Sequence, residues 1–173
     1  MMLVILCILC IFVLTGCGYN PIMYSHLSDR NNYETYTVQI ADLYYYDWDS
    51  KEHVKDYSDE RFQKNDVVFK VTFPSYEEAD KFYGYEVDRE KELSEYKEVF
   101  EVSAENNQLL AKSEFYEQIS VGDTIDITAS DWIYMDGYFY YIIGVRCGET
   151  EYLNPEDGLR NVIKMMNGNR GLI

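Results

Sequence analysis

The sequence predicts a strand-dominated α+β fold: a small curved or closed β-barrel with short helices between strands and one helix at the C-terminal end. Three observations carry that expectation. Apolar and polar residues alternate over several separate runs, which is the period of half-buried strands. Asp136-Gly137 stands between two apolar runs, and an Asp-Gly pair favours a two-residue hairpin because both positions accept positive φ. Asn154-Pro155-Glu156-Asp157 then opens a run with helical spacing. It supplies a cap, a proline at the first position and two acids facing the helix dipole.

Taken in order, the chain begins with an uncharged apolar run, Leu3 to Gly16. A helix of that length would measure roughly 21 Å, short of the bilayer core of about 30 Å. The run suits the hydrophobic region of a signal peptide. It closes on Leu14-Thr15-Gly16-Cys17, with small residues before a cysteine. This segment resembles the lipobox of bacterial lipoproteins. The resemblance implies a signal peptide over residues 1–16, cleavage before Cys17, and a diacylglycerol joined to the Cys17 sulfur. It also implies a lipid-anchored protein on the extracytoplasmic face of the cell membrane. Two acyl chains hold a protein on a membrane where one would be marginal. The segment departs from the pattern at its start, where Met1-Met2 brings no Lys or Arg.

Cys7 and Cys10 form a CxxC, but they lie inside the apolar run and would leave with it. Cys147 is then the one thiol of the mature chain besides Cys17, so no internal disulfide is expected and the domain must rely on its core. At the end of a strand pattern, Cys147 reads as a small buried hydrophobe. Residues 17–32 have no sustained period and read as a flexible tether with a mean reach of roughly 20 Å. Residues 33–173 suit one globular domain.

Within that domain the even positions Tyr36, Val38, Ile40, Tyr44, Tyr46 and Trp48 form a long alternating stripe, interrupted at Asp42. The interruption suggests a bulge or bend. Lys51 to Asn65 is charged and reads as a loop or poorly paired strand. Val67, Phe69, Val71 and Phe73 alternate cleanly until Pro74, which cannot donate to a ladder. Ser75 and Glu78 stand three apart as in a capping box, and Gly84 is placed to end the short helix between them. Asp88 to Lys97 is helix or solvated loop, Val99 to Val102 a strand, and Ala104 to Tyr116 a helix. Gly122-Asp123 turns into the strand Thr124 to Thr128. Trp132 to Met135 and Tyr138 to Arg146 form the hairpin, and Gly148 allows a reversal before Tyr152-Leu153. Leu159, Val162, Ile163 and Met166 give the last helix its core stripe, with Gly168 as its stop. Short strands, a glycine turn before a strand and a following hairpin together suggest an OB-like barrel.

The formal net charge of −16 falls entirely after the apolar run. Such acidity disfavours nucleic acid as a partner and leaves basic proteins, cationic peptides or metal cations as electrostatic possibilities. Eighteen tyrosines suit half-buried strand faces and equally suit binding surfaces. Trp132, Tyr134, Tyr138 and Tyr140 around the hairpin could form an aromatic face, with half of them assigned to core by alternation.

The chain carries no HExxH, GxSxG, Walker loop or GxGxxG, so no standard acyl- or phosphoryl-transfer site is expected. His26 and His53 have no partner at metal-ligand spacing. Asp47-Trp48-Asp49 begins like a calcium loop, but Lys51 stands where an oxygen ligand should be. Asp131 and Asp136 are no better placed. No catalytic residue, metal or cofactor is expected, and Cys17 is the one site residue, for lipidation. Ile119, Gly122, Asp123, Tyr134, Asp136, Gly137, Tyr138, Tyr152, Leu153, Gly158 and Asn161 are similar to the closing segment of small uncharacterised lipoproteins of Firmicutes. That resemblance covers roughly the last 60 residues and implies an anchor and a fold without an activity. The leading expectation is a non-enzymatic binding or interaction domain at the cell surface, for a protein or small-molecule ligand. The alternative is a cell-envelope glycan-acting enzyme, or accessory subunit, using paired carboxylates.

Overall fold

The protein is described by a computed structural model over residues 21–131, 133–134 and 138–168. Cys17, the apolar run, Trp132 and the turn Asp136-Gly137 lie outside these residues. Helix α1 spans Pro21–Ser28, β1 Tyr33–Asp47, β2 Glu52–Val54, α2 Glu60–Lys64, β3 Val67–Thr72, α3 Tyr76–Tyr83 and β4 Lys97–Val102. Helices α4 (Ala104–Lys112) and α5 (Phe115–Gln118) follow, then β5 Thr124–Ser130, β6 Ile133–Tyr134, β7 Tyr138–Cys147, β8 Thr150–Leu153 and α6 Pro155–Gly168.

Five strands close on themselves. β1 pairs antiparallel with β3 through Gln39–Tyr44 and with β5 through Tyr33–Gln39. β3 pairs with β4, β5 with β7, and the ring closes where β4 runs parallel to β7 at Phe100↔Tyr140 and Glu101↔Tyr141. The resulting barrel is OB-like and irregular: the parallel seam is short, and register shifts interrupt β1, β5 and β7. Alternation fills the interior. Val38, Phe69, Val71, Phe100, Val102, Ile127 and Ile142 are fully buried there. Burying each such side chain is worth about 1.5–3 kcal/mol.

The break in the Tyr36–Trp48 stripe is a bulge, as its polar residue suggested. Ile40 pairs with Val71 and Asp42 with Lys70, leaving Ala41 unpaired. One extra residue exchanges the faces of everything beyond it. Before the bulge Tyr36, Val38 and Ile40 point inward; after it Leu43 does so, and Tyr45 packs against the same core.

Helix α3 has the expected ends: Ser75 Oγ accepts from the Glu78 N–H, and Gly84 takes the left-handed conformation at φ 73°. The helix expected over Ala104 to Tyr116 is two helices, because Glu114 adopts φ 63° and breaks it. Lys51 to Asn65 is more structured than expected. It holds β2 and α2, the latter capped by the Asp59 side chain and anchored by fully buried Phe62. Ile133↔Phe139 and Tyr134↔Tyr138 pair antiparallel, as a hairpin here should, but this register leaves three residues between the strands rather than the two-residue Asp-Gly loop expected.

The expected flexible tether of residues 17–32 is helical from Pro21, and Leu27 is fully buried against Ile143, Val162 and Met166. A helix with one buried leucine and a partner helix to lean on belongs to the domain. α6 carries the expected stripe in part. Val162 and Met166 are buried, and Gly158 lies so close to β7 that an added Cβ would sit 1.9 Å from the Ile143 carbonyl oxygen. Asn106, buried in α4, donates to the Ile142 and Gly158 carbonyls at 3.2 Å, and Asn161 donates back to its Oδ1 at 3.0 Å. These bonds tie α4, α6 and β7 together. No helix among the described residues is long and apolar enough to cross a membrane.

Candidate functional site

The bulge in β1 places Tyr44, Tyr46 and Trp48 along the outer surface of the barrel. The β1–β2 turn begins at Asp47, whose Oδ1 accepts from the Asp49 N–H at 3.0 Å and the Ser50 N–H at 3.3 Å. Lys51 closes the turn in the left-handed region at φ 60°, with its N–H on the Asp47 carbonyl. The other Asp47 oxygen takes Arg61 at 2.9 Å, which holds the Asp47 carboxyl below its ordinary range. Both oxygens of the first candidate calcium ligand therefore have structural work. Among the described residues no three or more His, Cys, Asp or Glu side chains are grouped to hold a metal ion.

Trp48 sits on this turn, 80 % exposed. Tyr46 meets it edge to face at 4.6 Å. His53, from β2, stacks on Tyr44 at 4.0 Å, and Lys70 Nζ lies 5.2 Å from the centre of the same Tyr44 ring. The outer row thus consists of rings, one of them already facing an ammonium group.

Below Trp48 runs an open groove of about 320 Å³. Tyr45, Tyr46 and Trp48 contribute to it from β1 and its turn, while Asn65, Asp66 and Val68 contribute from the start of β3. Glu101 of β4 completes it, opposite Val68 in register and alongside Tyr141 of β7. Asp66 is fixed from behind: its Oδ1 accepts the Ala104 N–H at 2.7 Å, at the first turn of α4. Burial pushes the Glu101 carboxyl up to about 8, and the charge of Asp66 and a hydrogen bond to it push the same way. Tyr141 is pushed well above the ordinary phenol range by burial first, then by Glu101 and Asp66. A carboxyl raised this far by burial and a neighbouring carboxylate is largely protonated at neutral pH.

Glycoside hydrolysis needs two carboxyl groups roughly 5–10 Å apart, with room for a sugar or a water between them. Here Asp66 is engaged by the Ala104 N–H, and Glu101 is partly buried between β3 and β7. An acidic groove beside aromatic rings is suited to receiving a cation.

The remaining sequence candidates are dispersed. His26 contacts Asp131 at the α1 end. Tyr140 is partly buried, between Phe82 and Phe100. Cys147 is partly rather than fully buried, with its thiol 3.6 Å from the Thr124 carbonyl oxygen. Trp132, Asp136 and Cys17, and the side chains of Tyr134 and Tyr138, lie outside what the structure describes. A second groove, of about 280 Å³, is occupied by the ion pair of Arg146 with Asp126 at 2.7 Å. Glu98, also raised by burial, accepts a hydrogen bond from Tyr83 at 2.6 Å and so has its partner.

Sequence reasoning missed Asp66 and Glu101. The inward phase of Phe100 and Val102 does place Glu101 outward, but only the pairing of β3 with β4 brings Asp66 to it. The chain matches no protein-family model, no characterised protein and no solved structure.

Proposed function

We propose that this is a lipid-anchored, extracytoplasmic binding domain, held to the membrane through Cys17 and presenting the Trp48 groove to its ligand without turning it over. The observation that carries the binding half is Trp48, 80 % exposed over a groove floored by carboxyl groups. Tryptophan is enriched among contact residues, where its large ring supplies much of the buried area. The anchor half rests on the lipobox-like segment. It gains a spatial consequence from α1: Cys17 is four residues before Pro21, so their Cα atoms can be at most about 15 Å apart. A lipid on Cys17 would therefore hold the α1 end close to the bilayer.

The test is metabolic labelling with an alkyne-bearing fatty acid, followed by fractionation of cells making the wild type or Cys17→Ser. The wild type is expected to take up label and sediment with membranes, and the variant to lose both. Equal labelling and sedimentation of the variant would overturn the anchor. For the binding half, incubation of the purified chain with isolated cell-wall glycan should release no new reducing ends; release abolished by Glu101→Gln would establish the enzymatic alternative.

A further inference from the structure

The groove beside Trp48 is lined on one side by rings and on the other by acids, and among the described residues no basic side chain lines it. Arg61 of α2 is engaged by Asp47 at 2.9 Å and Asp59 at 2.8 Å. Lys70 faces Tyr44, on the same outer row. Among the described residues, the groove therefore holds acidic side chains with no cation in its lining.

Three chemical classes of occupant can be compared. A calcium ion needs six or more oxygen ligands, and the two carboxyl groups here supply too few. A glycan chain would stack on Trp48 but would leave the acidic wall without a counterion, and about 320 Å³ is at the small end of ligand sites. A cationic side chain satisfies both walls: its alkyl stem packs on rings and its head group meets the acids. The domain's formal charge of −16 would also draw a basic segment toward it.

We infer that the groove receives a lysine or arginine side chain from a basic peptide segment of a partner protein, with Trp48 and Tyr46 flanking the stem and Asp66 with Glu101 meeting the charge. This rests on the binding-domain reading above, but not on the lipid anchor. Asp66 is held by the Ala104 N–H and so presents a fixed oxygen, while Glu101 lies between β3 and β7 with Val68 and Tyr141 as neighbours. The recognition is of one side chain in a pocket, with the rest of the segment lying over an acidic surface.

The test titrates the full chain, purified in detergent, with an acetylated (Lys-Ala)4 amide by calorimetry, and with the matched (Glu-Ala)4 peptide and chitotetraose in parallel. The lysine peptide is expected to bind saturably and the acidic peptide not to bind. Asp66→Asn and Trp48→Ala should each weaken binding about tenfold. Glu149→Gln, which removes the same charge from an exposed turn, should change it less than twofold. Trp48 is exposed, so its substitution reports binding without endangering the fold, and Asn at 66 can still accept from Ala104. Equal weakening by Glu149→Gln would show general charge attraction and overturn the inference. Binding of chitotetraose in place of the lysine peptide would overturn it while leaving a binding domain; binding of none of the three would remove both.

Discussion

The two halves of β1 share a period of two and a taste for tyrosine, yet they serve opposite sides of the molecule. Before Ala41, Tyr36, Val38 and Ile40 are at most 7 % exposed and fill the barrel. Beyond it, Tyr46 and Trp48 lie outside, and Trp48 is 80 % exposed. The sequence of side chains hardly changes character across the boundary; one unpaired residue changes what they face. Alternation specifies a strand and its two faces, and the register decides which face becomes core.

The largest test of this comparison is deletion of Ala41. Removing the extra residue would turn Leu43 outward and drive Tyr44, Tyr46 and Trp48 toward a core that has no room for them. Loss of a cooperative thermal transition, followed by circular dichroism, is expected. Retention of a native-like melt would mean that the bulge can migrate, and that the outer row is set by something other than this register.

That deletion also shows how far the sequence was legible. Asp42 announced an irregularity because a carboxylate cannot sit in an apolar stripe, and the bulge is there. Its consequence is hidden because tyrosine is equally at home half-buried or at a surface, so both parts of the stripe read as one face. The strands around Val67–Phe73 and Thr124–Thr128 were readable since their valines, isoleucines and phenylalanines have one preferred side. α1 and α2 were not, because each is held by a single deep anchor, Leu27 or Phe62, too little for a periodic signal. Asp66 and Glu101 come together across a strand pairing, and pair proximity of that kind has no local signature.

A next-smaller effect separates the halves energetically. Ile40→Ala deletes a side chain that is 1 % exposed and should cost about 3 kcal/mol, through lost burial and the cavity left behind. Tyr46→Ala, on the outer row, should cost well under half as much. Urea denaturation of the two variants checks this, and equal costs would erase the distinction between an inner and an outer half.

Glu101 supplies a pH-dependent version of the same comparison. Its folded-state value of about 8 lies above the 4.5 of an ordinary glutamate. The folded protein therefore holds a proton that the unfolded chain releases. The associated stability is fully present below about pH 4.5 and is lost as pH rises through about 8. Glu101→Gln mimics the protonated form and should lack this loss. Its advantage over the wild type is expected to grow between pH 5 and 9, to on the order of 2 kcal/mol once solvent screening is allowed for. Parallel stability profiles for wild type and variant would show that burial does not hold a proton on Glu101.

Trp48→Ala should have the smallest effect on the fold and one of the largest on recognition. Its exposed ring packs against Tyr46 at the rim of the domain, and substitutions at such places change stability by about 0.5 kcal/mol or less. If the ring exists to meet a ligand, stability and binding must separate at this position, whereas at Ile40 they fall together. A melting temperature unchanged within error beside a tenfold loss of peptide affinity would place Trp48 among contact residues. A destabilised variant with unchanged affinity would make the tryptophan a cover for the β1–β2 turn, and the groove would lose its strongest argument.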